Sequence, residues 1–259
     1  MTKTILITGS TDGIGLEAAK LLADEGHEVL LHGRNPAKLQ AAQEATGADG
    51  FIADLSSKAG VAALADEVAM KVDRLDVLIN NAGILKAPAV KTADGYDIRF
   101  AVNTFAVALL TKKLMPLLGG DARVINLSSA AQAPVDPSAL AGPPMLGEMA
   151  AYSQSKLAMT MWSNHMATMH PDGPVFVAVN PGSLLATKMV KEGFGIGGND
   201  IGIGARILRD AAVSDDFAEA SGKYFDNDAG RFGPPHADAL DAGKCAEVAA
   251  SIEQVINAF

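Results

Sequence analysis

Two side chains at helical spacing could transfer a proton together. Tyr152 and Lys156 lie four residues apart, and residues at this spacing share one face of a helix, about 6 Å apart. The phenol of a free tyrosine has a pKa of about 10, and a nearby ammonium lowers that pKa by favouring the phenolate. The pair is therefore a candidate general acid and base. The alternative is a half-buried tyrosine beside a surface lysine, which has the same spacing and no chemistry.

A glycine-rich turn near the start of the chain is suited to binding phosphate. Gly9, Gly13 and Gly15 follow an apolar run and precede a segment with helical spacing. Glycines let the backbone approach a pyrophosphate, and the N-terminus of the next helix offers N–H donors and a positive dipole. The pattern is Gly-x3-Gly-x-Gly rather than the commoner Gly-x-Gly-x-x-Gly. It predicts a dinucleotide site, unless turn geometry alone requires the glycines.

Arg34 bears on which dinucleotide would bind. It follows the second apolar run, and Gly33 occupies the position where an acidic residue would hold a ribose 2′-hydroxyl. An arginine there accommodates a 2′-phosphate, so the sequence favours NADP(H) over NAD(H). Asp12 in the glycine turn is an argument against this preference, because its charge could lie near that phosphate. Without a ligand, Arg34 would be a solvated charge before a helix that begins at Pro36.

Short apolar runs alternate along the chain with segments of helical spacing. This alternation predicts an α/β fold, with one Rossmann-type, doubly wound parallel sheet of about seven strands and helices on both faces, in a single domain over residues 1–259. Ligands of such sheets bind where the strands end. Residues 130–147 and 188–203 look like loops, and the second is a candidate substrate lid. The predicted strands cover residues 4–8, 28–32, 50–53, 77–80, 123–127, 175–179 and 223–225, and the predicted helices cover residues 16–25, 37–45, 59–71, 101–118, 150–169, 202–212 and about 246–258.

Two polar segments fall at predicted strand ends. Asn81 follows the fourth strand, and Ser129 follows the fifth. Each has a structural alternative, because an asparagine can support the backbone of a loop and serines are common where strands end. Their positions on the ligand-binding edge of the sheet nevertheless make both of them candidate site residues.

The composition excludes several classes of protein. A net charge of −9 and the lack of a basic run argue against nucleic acid as a partner. The five histidines and Cys245 have no metal-ligand spacing, so no metal site is predicted. A single cysteine cannot form an intrachain disulfide and indicates a reducing compartment. No apolar stretch is long enough to predict a membrane span. The first residues indicate a strand rather than a signal peptide, and we therefore expect a cytoplasmic protein.

The motifs, taken in order, resemble those of the short-chain dehydrogenase/reductase family across nearly the whole chain. Each motif alone is weak, but the full series in the family's order and near its spacing is specific. The series is Thr8-Gly9-x3-Gly13-x-Gly15, Asp54, Asn80-Asn81-Ala82-Gly83, Asn103, Ser129, Tyr152-x3-Lys156 and Asn180-Pro181-Gly182.

The resemblance implies a role for each matching residue. Tyr152 would be the acid or base, Lys156 would bind the nicotinamide ribose and tune Tyr152, and Ser129 would hold the substrate oxygen. Asn103 would anchor a water that links Lys156 to a proton relay. The implied cofactor-binding set is Gly9, Thr11, Asp12, Gly13, Ile14, Gly15, Arg34, Asp54, Leu55, Asn81, Ala82, Gly83, Tyr152, Lys156, Pro181, Gly182 and Thr187.

Two departures from the family's usual pattern narrow the resemblance. The gap between Ser129 and Tyr152 is longer than usual because residues 130–147 are inserted, as in retinol-dehydrogenase-like and protochlorophyllide-reductase-like members. The segment Gly222-Lys223-Tyr224-Phe225 also resembles that branch, whose members often act on bulky apolar carbonyls with NADP(H). The hydroxyl expected after Pro181-Gly182 falls one position late, at Thr187.

These expectations predict an NADP(H)-dependent oxidoreductase that interconverts a small-molecule alcohol and a ketone or aldehyde by hydride transfer. The alternative is a non-catalytic NADP(H)-sensing binding protein, which would not need Ser129, Tyr152 and Lys156 together. The Ala- and Met-rich faces of helices 101–118 and 150–169 could pair in a homodimer or homotetramer, or the insertion could leave a monomer.

Overall fold

Eight strands form one sheet in the computed structural model, which describes residues 1–258 except for the side chain of Phe194. They are β1 (Thr4–Ile7), β2 (Glu28–Gly33), β3 (Asp49–Ile52), β4 (Leu75–Asn80), β5 (Leu118–Leu127), β6 (Val175–Asn180), β7 (Tyr224–Asp226) and β8 (Arg231–Gly233). Their order across the sheet is β3-β2-β1-β4-β5-β6-β7-β8. All neighbouring pairs are parallel except β7 and β8. The predicted doubly wound parallel sheet is confirmed, with the short β8 as an additional strand.

Helices cover both faces of the sheet. They are α1 (Gly13–Asp24), α2 (Pro36–Thr46), α3 (Lys58–Lys71), α4 (Ile98–Phe100), α5 (Ala106–Leu114), α6 (Pro137–Ala141), α7 (Glu148–Met169), α8 (Lys188–Phe194), α9 (Gly202–Val213) and α10 (Ala242–Ala258). Buried side chains of α1, α2 and α9 form the core on one face of the sheet. Those of α3, α5, α7 and α10 form the core on the other face.

The central strands are apolar at successive positions because both of their faces are covered. Ile5 and Ile7 of β1 belong to the core beneath α1 and α9, whereas Leu6 belongs to the opposite core. All three side chains are fully buried. Successive residues of a strand point to opposite faces, so a strand with two buried faces needs apolar residues throughout. The sequence therefore shows these strands as continuous apolar runs.

Short helices occupy parts of both segments that the sequence indicates as loops. Thr187 caps α8 because its hydroxyl accepts a hydrogen bond from the Val190 N–H at 3.2 Å, and Gly195 ends that helix with φ +69°. Asp136 caps α6 through the Ser138 N–H at 2.8 Å. The loop prediction is wrong for these two helices, because the residues that begin and end short helices are also typical of loops.

The helix faces that the sequence indicates as possible subunit contacts are largely buried within the chain. Met159 and Trp162 of α7 pack in the same core as Ile252 of α10, and each is at most 2% exposed. By length and composition alone, the helical segment Ile98–Leu117 could cross a membrane, but 72% of its most apolar window is buried inside the molecule. A homodimer or homotetramer stays a prediction, and these faces are not free to form it.

Candidate active site

A cleft of about 450 Å³ opens at the edge of the sheet where the parallel strands end. It brings together residues that follow six different strands, β1 to β6, as expected for a ligand site of this fold. The predicted residues that line it are Gly9, Thr11, Asp12, Gly13, Ile14, Arg34, Asp54, Leu55, Asn81, Ala82, Gly83, Tyr152, Lys156, Pro181 and Thr187. The sequence predicts four further site residues that are not part of the cleft wall, namely Gly15, Asn103, Ser129 and Gly182. Residues that line it and were not predicted are His32, Gly33, Asn35, Lys38, Ala53, Ile84, Val102, Leu127, Ser128, Lys188 and Met189.

The three glycines of the turn serve two different purposes. A Cβ on Gly15 would lie 2.4 Å from Asn81 Nδ2, and a Cβ on Gly9 would lie 2.9 Å from Ala82 Cα. Both glycines are therefore required by close packing of the turn against the end of β4. Gly13 has φ +62°, and a Cβ there would meet only the Thr187 methyl group, at 3.9 Å. Its face of the turn is open to the cleft, which fits the approach of a pyrophosphate to the N-terminus of α1.

Asn81 and His32 hold the glycine turn in place. Asn81 Nδ2 donates to the carbonyl oxygens of Thr8 at 2.8 Å and Gly9 at 3.0 Å. The Gly9 N–H donates to His32 Nδ1 at 3.1 Å. His32 Nε2 therefore carries the proton and donates to the Ala53 carbonyl at 3.1 Å. Asn81 thus has the backbone-supporting role, within the wall of the cleft.

His32 makes stability depend on pH. Burial lowers the pKa of His32 to about 4, whereas the unfolded chain has a histidine pKa of about 6.5. As pH falls below 6.5, the unfolded state binds a proton that the folded state does not. We expect this residue to remove about 3 kcal/mol of unfolding free energy between pH 6.5 and 4.

Urea denaturation at pH 7, 5.5 and 4.5 measures this effect. The variant His32→Asn keeps an acceptor for the Gly9 N–H and should lose less stability than wild type over this range. If the free energy of unfolding depends on pH in the same way in the two proteins, His32 does not titrate as proposed.

A positively charged corner of the cleft, formed by Arg34 and Lys38, lies beside the glycine turn. Arg34 is exposed and lines the cleft, and Lys38 lies on the first turn of α2 beside it. Lys38 forms an ion pair with Asp12, whose pKa is lowered chiefly by its hydrogen bond from Lys38. The Asp12 charge, which counted against a 2′-phosphate, is therefore already paired. A Cβ on Gly33 would lie 2.3 Å from Thr11 Cγ2, so an acidic side chain at position 33 would displace Thr11.

Tyr152 and Lys156 line the other end of the cleft, and Ser129 lies next to Tyr152. Tyr152 and Lys156 share one face of α7, and the Lys156 ammonium lies 5.9 Å from the centre of the Tyr152 ring. Lys156 Nζ donates to the Leu127 carbonyl at 2.7 Å, and the Ser129 side chain lies next to Tyr152, whose pKa it acts to lower. The neighbouring Ser128 is buried and bonds to Thr160 at 2.7 Å. The Ser128 hydroxyl therefore already has a partner inside the protein, although Ser128 lines the cleft.

Burial dominates the protonation of this group. It raises the pKa of Tyr152, although the hydrogen bond from Ser129 acts in the opposite direction. Burial also lowers the pKa of Lys156 to about 8. The expectation that the ammonium lowers the pKa of Tyr152 is therefore not met in this structure, because loss of solvent around the phenolate is the larger effect. Tyr152 is a protonated hydrogen-bond donor at neutral pH.

Asn103 joins the loop after β4 to α7. It lies in a π-helical turn, Ala101–Phe105, between α4 and α5, a feature that is frequent at functional sites. Its Oδ1 accepts from the Ile84 N–H at 2.8 Å, and its Nδ2 donates to the Ile84 carbonyl and to Ser155 Oγ, each at 3.0 Å. A Cβ on Gly83 would lie 3.4 Å from both Asn103 Oδ1 and Lys156 Nζ. Asn103 thus lies near Lys156, and its water-anchoring role stays a prediction.

The segment that begins at Pro181 is fixed from the opposite side by the turn between β7 and β8. Asn180 Nδ2 donates to carboxylates of Asp226 and Asp228, each at 2.9 Å, and the Ser183 N–H donates to Asp228 at 2.7 Å. Asn227 Nδ2 donates to the Pro181 carbonyl at 2.9 Å. These bonds anchor residues 180–183, which lead into residues 188–203. Within residues 1–258, no group of three or more His, Cys, Asp or Glu side chains is placed to hold a metal ion.

Comparisons with known proteins find related sequences and related folds. The family model described as short chain dehydrogenase matches residues 3–194. Retinol dehydrogenase 12 of Mus musculus is 32% identical, over 86% of this chain and 77% of that protein. A structure of an uncharacterized protein from Mycobacterium paratuberculosis has a TM-score of 0.81 and 29% identity, covering 98% of this chain and 93% of that one. A structure described as a short chain dehydrogenase of Escherichia coli CFT073 complexed with NADPH has a TM-score of 0.70 and 27% identity, covering 87% and 96%.

Proposed function

The chain belongs to the short-chain dehydrogenase/reductase family, whose enzymes act on alcohol and carbonyl groups, and from that premise we propose that it is an NADP(H)-dependent carbonyl reductase with Tyr152 as its acid and base. The observation that carries this proposal is that Tyr152 and Lys156 line the same cleft as the glycine turn, with Ser129 next to Tyr152. A nicotinamide cofactor in the cleft would supply or accept the hydride.

The chain's own residues account for the other half of the reaction. Ser129 and Tyr152 direct two hydroxyl groups at the substrate oxygen, where negative charge develops in the transition state. The Tyr152 phenol gives its proton to that oxygen during reduction and takes it back during oxidation. The Lys156 ammonium stabilises the phenolate that reduction leaves behind. Because Lys156 is buried, its charge acts in a medium of low dielectric, where it is less screened than in water.

Steady-state assays of NADPH and NADH consumption test this function against small and bulky ketones, aldehydes and quinones. We propose bulky apolar carbonyls as the preferred class, in keeping with the retinol dehydrogenase among the relatives. Turnover of any carbonyl supports the reductase. If NADPH binds tightly but no carbonyl is reduced, the alternative of a non-catalytic NADP(H)-sensing protein is favoured.

Arg34 is expected to select NADP(H). Arg34→Ala should raise the Kd for NADPH roughly tenfold, because a charge-assisted contact to the 2′-phosphate is lost, while the Kd for NADH changes little. The single substitution Lys38→Ala should also weaken NADPH binding, because it removes a cation and leaves the Asp12 carboxylate unpaired. Fluorescence titration with both cofactors measures these effects. Arg231→Ala, an exposed arginine on β8, is the matched control, and an equal loss of NADH and NADPH binding in Arg34→Ala would contradict the assignment.

Residues 188–203 are proposed to act as a substrate lid. Lys188 and Met189 line the cleft, and the base of the segment is closed by hydrogen bonds between residues 184–186 and Asn199. A lid of this kind excludes water when it closes over bound ligands. Limited proteolysis should cut this segment more slowly with NADPH and a substrate analogue present, and an unchanged cleavage rate would argue against closure.

A further inference from the structure

The main-chain carbonyl of Ser129 is held by two side chains, one from the same loop and one from a distant strand. The last sheet bond of β5 runs from the Ser128 N–H to the Val179 carbonyl at 2.8 Å, so Ser129 itself lies beyond the sheet. Its carbonyl oxygen accepts from Gln132 Nε2 at 2.9 Å and from the Tyr224 hydroxyl at 3.2 Å. A residue beyond the end of a strand has no sheet hydrogen bonds to fix its backbone angles. These two bonds restrain the carbonyl group of Ser129 instead.

Tyr224 is built into the sheet rather than placed on a loop. It is the first residue of β7, and only 5% of its surface is exposed. Burial raises the pKa of its phenol, so the hydroxyl keeps its proton and donates. The Gln132 amide is oriented by the His236 N–H, which donates to Gln132 Oε1 at 3.1 Å. This bond leaves Gln132 Nε2 directed at Ser129.

The direction of the Ser129 hydroxyl depends on this restraint. Its Oγ accepts from the Ala131 N–H at 3.1 Å, and its side chain lies next to Tyr152, whose pKa it acts to lower. If the Ser129 carbonyl rotated, the position of Ala131 and the direction of Oγ would change together. A displacement of about 1 Å in a catalytic group can cost on the order of 10²-fold in rate, so the restraint has a consequence for the reaction.

We propose that Tyr224, together with Gln132, is a positioning residue that holds Ser129 in register with Tyr152 for carbonyl reduction. The Tyr224 hydroxyl contacts the main-chain carbonyl of Ser129. Tyr224 therefore acts through another residue rather than on the substrate. The proposal rests on the function proposed above, in which Ser129 binds the substrate oxygen.

A double-mutant cycle separates positioning from general structural support. Tyr224→Phe should lower kcat roughly tenfold with little change in the KM for NADPH. In the Ser129→Ala background the same substitution should change kcat less than about twofold, because no serine hydroxyl remains to be positioned. Gln132→Leu removes the other donor and should reproduce both results. Tyr96→Phe removes a phenolic hydroxyl from the chain's remaining tyrosine and is the matched control.

The outcomes distinguish this inference from the proposed function. If Tyr224→Phe lowers kcat by the same factor with and without Ser129, Tyr224 supports the structure only and the inference is overturned. If Ser129→Ala and Tyr152→Phe both keep wild-type turnover, the proposed function fails and the inference with it. Crystal structures of wild type and Tyr224→Phe add a test that needs no turnover. We expect the Ser129 hydroxyl to move relative to Tyr152, and an unmoved hydroxyl would overturn the inference.

Discussion

Tyr152→Phe is expected to lower kcat for carbonyl reduction by roughly 10²–10⁴-fold, the contribution of a positioned general acid. The substitution removes one oxygen atom and keeps the ring that packs in the cleft wall beside Lys156. The glycine turn and the Arg34 corner are untouched, so the Kd for NADPH should stay within about twofold of the wild-type value. Single-turnover reduction and fluorescence titration measure the two quantities separately.

The pH dependence of the reaction tests the same role. Burial raises the pKa of Tyr152, so the phenol is protonated and ready to donate at neutral pH. Reduction should therefore proceed at neutral pH, whereas oxidation of the alcohol requires the phenolate and should accelerate as pH rises. Tyr152→Phe should remove this rise. If the variant reduces carbonyls at the wild-type rate, the proton comes from another group and the assignment is wrong.

The residues that sequence could identify are those whose role depends on local geometry. Gly9 lies in the turn between β1 and α1, Gly15 lies in the first turn of α1, and Tyr152 and Lys156 share one face of α7. These relationships extend over a few residues, so their spacing along the chain is preserved in the structure. The parallel sheet is predictable for a similar reason, because its central strands are buried on both faces and are apolar throughout.

Contacts between distant segments could not be predicted in the same way. Tyr224 lies 95 residues from Ser129 along the chain, and its hydroxyl reaches that carbonyl only because β7 is next to β6. His32 is one of five histidines in the sequence, and only its burial beside Gly9 distinguishes it. Nothing in the sequence identifies Lys38 as a site residue, although its position four residues after Arg34 is compatible with a shared corner of the cleft. These roles depend on strand order, which one sequence does not contain.

Lys156→Met is expected to abolish efficient turnover and, at the same time, to raise the stability of the protein. Burial lowers the pKa of Lys156 to about 8, against about 10.4 for an unfolded lysine. As pH is lowered from 10.4 to 8, the unfolded state gains a proton that the folded state does not, so the free energy of unfolding falls. Below pH 8 the full cost of about 3 kcal/mol is present. Methionine has a similar length and carries no charge.

The net gain should be smaller than that cost, because the Leu127 carbonyl loses the donor that now lies 2.7 Å away. An unsatisfied buried acceptor costs about 1–3 kcal/mol, which leaves a net stabilisation of about 0–2 kcal/mol and a rise in Tm of up to roughly 8 °C. Thermal denaturation at pH 7 without added cofactor measures it. Lys20→Met, which changes a half-exposed lysine paired with Glu17, is the control and should change stability by less than about 0.5 kcal/mol.

The pH dependence of this difference identifies its cause. If desolvation of the ammonium is responsible, the stability advantage of Lys156→Met should shrink as pH rises from 8 to 10.4, because wild type then loses the buried charge. Other groups with raised pKa values, which include Tyr152, Tyr224, Cys245, Lys71 and Lys244, are present in both proteins and largely cancel in the comparison. A lower Tm for Lys156→Met at pH 7 would mean that the ammonium stabilises the fold through its bonds. The expected result, a more stable and inactive protein, would show that the fold carries Lys156 for the reaction and at the expense of stability.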